Sequence, residues 1–426
     1  MKSAIYWFRN DLRLEDNLAL MLACKNAEFI LPIYVHDVRL KGETQWQFPR
    51  VSEQRKVFLQ ESLADLRAQL RHLGSDLFEL SGDFKEILSE LRSELGVSQI
   101  YCEQIEAPEE LEQVTVLKDI GFEVKSVWQS SMLDPKSLPF QLEQMPDIFT
   151  QFRQQVEKQK LKYADPVGLI KEMPPLPTKG RSLSLQVEKN TSQANKIFIG
   201  GQARANAHID QYFERRLVDT YKQTRNGLMG MDYSSKFSPW LAVGSCSARS
   251  IIKKLTEYEY EYGANDSTYW LWFELLWRDY FRFLHFKYGT RLYESKGLSD
   301  KNSNLFEDVK FTQWANGNTG NPFINAGMRE LKKTGFLSNR MRQIVASYWI
   351  YDMNGDWRAG AAWFESQLID YDVYSNQGNW LYIAGKGTDP RGGRPFNVIK
   401  QAKDHDPDGL YQRMWLNENA EPKDIL

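Results

Sequence analysis

Residues that bind metals or form disulfide bonds are scarce in this sequence. Three cysteines and five histidines occur among 426 residues, and Cys24, Cys102 and Cys246 lie far apart. The cysteines form no C-x-x-C pair, and the histidines never approach the H-E-x-x-H spacing. These absences argue against a zinc ribbon, a four-cysteine iron–sulfur cluster and a disulfide framework, so we expect no metal site.

Long hydrophobic runs are also missing. Mean hydropathy is −0.54, and no apolar run approaches the roughly 18 residues that a membrane-spanning helix needs. The short apolar stretch near the amino terminus is followed by Asp11, Glu15 and Asp16, which is unlike a signal or transit peptide. We therefore expect a cytoplasmic protein with no membrane partner.

Charge and tryptophan are unevenly distributed along the chain. Residues 1–150 carry 16 basic and 25 acidic side chains, whereas residues 151–426 carry 38 basic and 31 acidic ones. This split favours polyanion binding by the carboxy-terminal part, although two differing solvated surfaces would explain it equally well. Ten of the thirteen tryptophans lie between Trp240 and Trp415, which suggests an aromatic ligand, electron transfer or base stacking.

Two patterns of hydrophobic residues divide the chain. Apolar runs at residues 4–8, 29–35, 77–80, 97–101 and 122–127 alternate with helical patterns at 59–73, 84–95 and 108–119. Such alternation predicts an α/β domain with a doubly wound parallel sheet over residues 1–134.

The remainder of the chain reads as a linker and a larger helical domain. Residues 135–196 contain a Pro-rich stretch and one isolated helical pattern at 151–162, and we interpret them as an interdomain linker. Residues 197–426 form the predicted all-α domain. Its clearest helical patterns are at 241–255, 269–288, 322–334, 340–352 and 358–368.

A segment rich in hydroxyl groups opens one predicted helix of this domain. Ser234, Ser235, Lys236 and Ser238 lie where backbone N–H groups lack helical partners, which is suitable chemistry for binding a phosphate. Ordinary capping of the helix by Ser before Pro explains the same pattern.

Two further clusters lie on predicted helices. Glu274, Trp277 and Arg278 share one helical face, which suits base recognition but is also usual for an amphipathic core helix. Arg340 and Arg342 are two residues apart and point to different faces, so one can pair with an acid and the other with a phosphate. A plain surface pair is the alternative.

Acidic and amide side chains follow another predicted helix. Asp370, Asp372 and Asn376 lie just beyond a helical pattern that ends at Ile369. Their oxygens could accept hydrogen bonds from ribose hydroxyls or from an N–H edge of a heterocycle. Helix capping is again the alternative.

Together these motifs resemble the photolyase/cryptochrome family, most closely its DASH branch. The resemblance spans nearly the whole chain and keeps the family's order and spacing. The segments that carry it are residues 7–17, 200–201, 221, 225, 234–240, 273–281, 319–322, 339–342, 356–358, 370–380 and 396–409.

The resemblance implies a bound FAD in the helical domain. Six residues would hold its phosphates: Tyr221, Ser234, Ser235, Lys236, Phe237 and Ser238. Five would bracket its ribityl chain and isoalloxazine: Arg278, Asn339, Arg342, Asp370 and Asp372. Asn376 would lie beside the flavin N5 atom, a position that tunes which reduced flavin state persists.

The implied activity is repair of cyclobutane pyrimidine dimers in DNA by an electron from light-excited, reduced FAD. Glu274 would hydrogen-bond the lesion's base edges and Trp277 would stack on it, while Arg225 and Arg340 would anchor the backbone. Tyr382 stands where duplex-acting photolyases usually carry a second tryptophan, so we expect an enzyme that prefers single-stranded or looped DNA. We also expect a monomer.

Electron transfer and light harvesting are implied in the same way. Trp380 and Trp357 match the first two tryptophans of the family's hopping chain, but the third position is Asn304. Hopping either diverts to a neighbour such as Trp314 or a tyrosine, or it stops after two steps. Most DASH relatives carry methenyltetrahydrofolate as an antenna, and Glu106 is our candidate ligand for its pterin ring.

Two other functions remain open at this point. A blue-light photoreceptor would use the flavin to switch a partner surface, and a flavin-dependent nucleic-acid-binding regulator would bind without repairing. Residues 336–339 lack the paired histidines expected of an enzyme that repairs (6-4) photoproducts.

Overall fold

The computed structural model describes residues 2–161, 163–178 and 197–417. Five strands of the first 127 residues form one parallel sheet in the order β3-β2-β1-β4-β5. The strands are β1 (Ser3–Trp7), β2 (Phe29–Asp37), β3 (Phe78–Gly82), β4 (Gln99–Glu103) and β5 (Glu123–Val127). Central β1 is buried on both faces, as its continuous apolar run predicts, and the doubly wound α/β fold is confirmed.

Four helices connect the strands: α1 (Leu18–Asn26), α2 (Glu53–His72), α3 (Phe84–Leu95) and α4 (Pro108–Asp119). The predictions for α2, α3 and α4 are confirmed. Helix α1 was not predicted, because its leucines, alanines and methionine surround the helix and leave no clear polar face. Its start is set by Asn17, whose side chain accepts a hydrogen bond from the Leu20 N–H.

The segment that connects the α/β part to the helical carboxy-terminal part packs against both of them. It contains α5 (Phe149–Gln159), which confirms the isolated helix predicted there. Residues 163–178 then run back along the α/β part, where the Val167 N–H donates to Asp16 and the Ile170 N–H donates to the Leu14 carbonyl. Residues 179–196 of the predicted linker lie outside the described residues.

The carboxy-terminal part is helical, as predicted. Its helices are α6 (Gln202–Glu214), α7 (Tyr221–Thr224), α8 (Ser238–Val243), α9 (Ala248–Tyr262), α10 (Asp266–Tyr288), α11 (Asp308–Ala315), α12 (Pro322–Thr334), α13 (Asn339–Ser347), α14 (Trp357–Gln367), α15 (Val373–Ala384), α16 (Val398–His405) and α17 (Leu410–Leu416).

One predicted helix is wrong. Residues 241–255 form the end of α8 and the start of α9, which are separated at Gly244. Gly244 has a φ of +72°, and a Cβ there would lie 1.9 Å from the Asn10 carbonyl oxygen. The break therefore allows the helical part to approach the α/β part at backbone distance.

The helix predicted at 340–352 is confirmed, but its last turn is of a different helical type. Helix α13 stops at Ser347, and residues Tyr348–Asp352 continue as one wider π-helical turn rather than as regular α-helix.

Buried polar contacts join the two parts. The carboxylate of Asp16 pairs with Arg249 at 2.9 Å, and the Arg13 guanidinium donates to the Gly244 carbonyl at 3.0 Å. The Leu12 N–H also donates to the Val243 carbonyl. Because Asp16 is fully buried, losing Arg249 would leave an unpaired charge inside the protein.

Candidate functional site

A cavity of about 380 Å³ opens in the helical part, between α7, the segment before α8, α10, α13 and α15. Most of the residues that the sequence indicated line it or the smaller recess beside it. They are Tyr221, Arg225, Ser234, Ser235, Lys236, Phe237, Ser238, Glu274, Trp277, Arg278, Asn339, Arg340, Arg342, Asp370, Asp372, Asn376, Trp380 and Tyr382. Three candidates lie elsewhere: Trp357, Trp314 and Glu106.

The hydroxyl-rich segment forms one wall. His208 holds it through a 2.8 Å hydrogen bond between Nε2 and the Ser235 carbonyl, and Lys236 has a φ of +54°. The Lys236 ammonium lies 3.2 Å from the centre of the Tyr233 ring, and burial lowers the pKa of this lysine to about 7. An anion beside Lys236 would favour the charged form of this lysine.

An ion pair lies at the junction of cavity and recess. Arg342 donates to Asp370 Oδ2 at 2.7 Å and to the Leu337 carbonyl at 2.8 Å, while the Ser238 hydroxyl donates to the same Asp370 oxygen at 2.6 Å. The other oxygen, Asp370 Oδ1, is buried and has no hydrogen-bond partner. A buried carboxylate oxygen without a donor is a site prepared for an N–H or O–H group of a ligand.

Asp372 is held by an arginine that the sequence analysis missed. Arg282, whose side chain is 3% exposed, forms a two-point contact with this carboxylate, and Asp372 also accepts from the Ser375 N–H at 2.8 Å. Although burial raises it, the pKa of Asp372 is held well below its ordinary value by Arg282 and Arg278. Asp372 therefore enters the site as a fixed negative charge.

Helix α15 presents different residues to the recess and to the mouth. Asn376 donates through Nδ2 to the Ala361 carbonyl at 3.0 Å, which fixes its amide, and Trp380 lies one turn further along. Tyr382, two residues beyond Trp380, points instead to the mouth of the cavity. The helical period separates the two aromatic side chains.

The mouth is built from aromatic and charged side chains. Glu274 contacts Arg225, and burial raises the pKa of this glutamate while Arg225 lowers it. Trp277 meets Tyr382 edge to face, with ring centroids 5.4 Å apart. Glu274, Trp277 and Arg278 share one face of α10, as predicted, with Arg278 donating inward to the Ser130 carbonyl.

Three arginines surround this mouth. Arg340 donates to Asn226 at 3.0 Å while its Nε has no partner, and burial together with Arg225 and Arg394 lowers its pKa. Arg394, which the sequence analysis missed, lies over the Tyr382 ring at 4.5 Å. A concentration of positive charge beside aromatic rings suits a nucleic-acid backbone and its bases.

Arg340 and Arg342 point in different directions, as predicted. Arg342 pairs inward with an acid, whereas Arg340 faces the mouth. The spacing of two residues produces this division.

The tryptophans form a buried cluster behind the recess. Trp380 meets Trp314 edge to face at 6.3 Å, and Trp314 stacks on Trp349 at 5.3 Å. Trp357 is buried and donates to the Ser295 carbonyl at 3.0 Å. Asn304 uses its amide to donate to the Ile350 and Gly355 carbonyls.

Glu106 lies where the two parts meet. Its backbone N–H donates to the Tyr374 hydroxyl at 2.6 Å, and its carboxylate accepts from Gln104 at 2.6 Å. It follows β4 at the carboxyl edge of the sheet, the edge at which such folds bind ligands.

Neither a metal cluster nor a spanning helix is found in the part of the chain that the structure describes. No group of three or more His, Cys, Asp or Glu side chains there could hold a metal ion. No helix among the same residues is long and apolar enough to cross a membrane.

Comparison with known proteins identifies the family. A family model described as the FAD binding domain of DNA photolyase matches residues 270–425, and the DNA photolyase model matches residues 4–177. The cryptochrome DASH of Gloeobacter violaceus is 43% identical, covering 98% of this chain and 86% of its own. That of Xenopus laevis is 43% identical, covering 96% and 82%.

Solved structures agree. A Synechocystis cryptochrome has a TM-score of 0.92 at 40% identity, covering 98% of this chain and 89% of its own. A class III photolyase from Agrobacterium tumefaciens has a TM-score of 0.81 at 26% identity, covering 100% and 89%. The chain belongs to the photolyase/cryptochrome family. Within that family, it falls with the cryptochrome DASH proteins.

The helical part is accordingly an FAD-binding domain, and the residues present fit this cofactor. The hydroxyl-rich wall with Lys236 suits a diphosphate, and the free oxygen of Asp370 suits a donor on the flavin or ribityl chain.

Proposed function

We propose that this protein uses blue light to repair cyclobutane pyrimidine dimers in DNA and prefers them in single-stranded or looped segments. One observation carries the proposal: a single cavity joins a polar floor with an orphaned carboxylate oxygen to a mouth of aromatic rings and arginines. The floor suits FAD, and the mouth suits a pyrimidine dimer that is flipped out of the strand.

The proposed roles of the residues follow from their contacts. When bound, the reduced flavin supplies the electron that opens the cyclobutane ring after excitation by light. Asp370 and Arg342 orient the cofactor, Asn376 lies beside it, and Lys236 compensates its phosphate charge.

Glu274 and Trp277 recognise the lesion in this proposal. Glu274 contacts Arg225 in the structure, so its carboxylate exchanges part of that contact for the hydrogen-bond donors on the pyrimidine edges. Arg225 is then free to hold a backbone phosphate together with Arg340.

The proposed second chromophore is methenyltetrahydrofolate in the cleft beside Glu106. The support is its place at the carboxyl edge of the sheet, next to Tyr374 of the helical part. We expect protein reconstituted with folate to gain an absorbance band distinct from that of flavin, and Glu106→Ala to weaken it. An unchanged spectrum, or a second flavin in its place, would overturn this assignment.

The other properties that we propose are a monomeric state and a cytoplasmic location. Cys24, Cys102 and Cys246 are all free thiols, which agrees with a reducing compartment. Light scattering of the purified holoprotein tests the monomer.

The experiment that tests the function is repair of one thymine dimer in a single-stranded oligonucleotide by the reduced holoprotein under blue light. We expect restored thymine absorbance under light and none in darkness. The variant Trp277→Ala should lose repair while keeping its FAD. Tight binding of the damaged strand without repair would instead favour the regulator, and the absence of both would favour the photoreceptor.

A further inference from the structure

The indole of Trp277 has one face already covered by a ring from outside the cavity. Phe149 lies parallel to it at 13°, with ring centroids 3.6 Å apart. Phe149 is buried and begins α5, which belongs to the segment connecting the two parts of the chain. The face of Trp277 that remains is therefore the single one on which a base could stack.

Three further rings contact the same indole. Tyr280 and Tyr382 lie nearly perpendicular to it, with centroids at 5.6 and 5.4 Å, and Phe281 is tilted against it at 5.4 Å. With four rings around it, the indole has little freedom to rotate about its side-chain bonds.

The chain just before Phe149 is anchored to α10. Lys287 donates to the Met145 carbonyl at 2.7 Å and to the Asp147 carboxylate at 2.6 Å. The Tyr288 hydroxyl donates to the same carboxylate at 2.5 Å, and the Tyr280 hydroxyl donates to the Asp147 carbonyl. These four hydrogen bonds hold the chain before Phe149 against the helix that carries Trp277.

We propose that Phe149 is a positioning residue for the pyrimidine-binding site, which sets the plane of Trp277 and leaves one indole face for the lesion. This inference rests on the proposed function, and it adds to it a part for the connecting segment. Phe149 does not touch the lesion; it acts through Trp277. Because its neighbours already hold the Trp277 side chain in place, this side chain loses less conformational freedom when a base stacks on it.

The test measures binding of single-stranded oligonucleotides, with and without one thymine dimer, to the FAD-loaded protein in darkness. Phe149→Leu should weaken binding of the damaged strand by about threefold to tenfold, the range expected for loss of one aromatic pair. FAD content and binding of the undamaged strand should not change. The matched control is Phe152→Leu, since Phe152 is equally buried on α5 and contacts Phe149 and Tyr280 but not Trp277.

A double-mutant cycle separates positioning from simple destabilisation. In a Trp277→Leu background, Phe149→Leu should cause no further loss, because the residue through which it acts is gone. An equal loss in both backgrounds, or no loss in the single variant, would overturn the role of Phe149. If Phe149→Leu does not fold, Asp147→Ala replaces it: this change removes two of the four hydrogen bonds that anchor the chain before Phe149 and should weaken damaged-strand binding in the same direction.

Failure of the proposed function is read from the unmodified protein before any variant is compared. Equal affinity of that protein for damaged and undamaged strands would overturn lesion recognition, and with it the inference about Phe149. Discrimination in the unmodified protein together with unchanged discrimination in Phe149→Leu would overturn the inference alone.

Discussion

Trp314 and Trp380 meet edge to face, with their ring centroids 6.3 Å apart. Trp314 continues to Trp349 by a stacked contact at 5.3 Å, so three indoles are in series behind the recess. Asn304, which the family resemblance places at the third tryptophan position, donates to two backbone carbonyls. When Trp380 gives an electron to the flavin, these contacts therefore provide a route by which Trp314 can replace that electron.

The first prediction concerns this route. We expect Trp380→Phe to abolish light-driven reduction of the flavin, and Trp314→Phe to slow it more than Trp357→Phe does. Photoreduction is followed by flavin absorbance with an added thiol as the final reductant. Dimer repair by chemically reduced Trp380→Phe should persist, because Trp380 lies on the recess side. A larger effect of Trp357→Phe would show that the Trp314 branch is not used.

The second prediction concerns Asn304. The variant Asn304→Trp should increase the yield of photoreduction, because it returns an oxidisable ring beyond Trp357. Its matched control is Asn304→Phe, which has a ring that is much harder to oxidise. Equal yields in the native protein and Asn304→Trp would contradict the assignment of Asn304 to the position of the third tryptophan.

The third prediction concerns the form of DNA. Tyr382 presents a smaller ring than tryptophan, and we expect it to weaken one stacked contact by about 1 kcal/mol. Repair of a dimer in a single strand should therefore exceed repair in an intact duplex at the same salt concentration. Tyr382→Trp should narrow the difference, whereas Tyr382→Phe should preserve it. Equal rates for the native protein on both substrates would contradict the prediction.

The fourth prediction concerns pH. Burial lowers the pKa of Lys236 to about 7, and a bound diphosphate should raise it, so FAD binding takes up a proton above pH 7. The affinity for FAD should fall as the pH rises from about 7 to 9, by at most about tenfold per pH unit. Fluorescence titration measures it.

Two controls test whether Lys236 is the group that takes up the proton. Lys236→Met should remove the pH dependence, and riboflavin, which lacks the diphosphate, should bind the native protein without it. The same slope in Lys236→Met would assign the proton to another group.

The fifth prediction separates two ways of losing FAD. Asp372→Ala leaves the buried Arg282 without its partner, and we expect it to cost about 3–5 kcal/mol of unfolding free energy together with FAD occupancy. Asn339→Ala changes an exposed side chain at the start of α13 and should lower FAD occupancy alone, by about 1–3 kcal/mol of binding free energy. Chemical denaturation and absorbance distinguish them. Full flavin content in both variants would contradict the assignment of the cavity.

Much of the fold follows from the sequence because its signals are local. The buried run of β1 and the leucine spacing of α2 depend on neighbours within one turn or strand. The break at Gly244 had a local signal, since a glycine ends α8 and Ser247 caps α9. What the sequence could not show is the close approach of the Asn10 carbonyl, more than two hundred residues away.

The same limit applies to the site. Its hydroxyl-rich wall and the α10 face were visible as short motifs. Arg282 was not, because its partner Asp372 lies 90 residues further along the chain. Phe149 was hidden in a segment interpreted as a linker, and Arg394 follows loop residues that carry no periodic pattern.

The contacts of Arg13, Asp16 and Gly244 have a consequence for exchanging parts between relatives. The α/β part supplies hydrogen bonds and a countercharge that the helical part lacks by itself. A chimera that takes its first 130 residues from another protein must therefore bring an acid at position 16 for Arg249 and an arginine at position 13 for the Gly244 carbonyl. A chromophore carried by one half would then keep a fixed distance and angle to the flavin of the other.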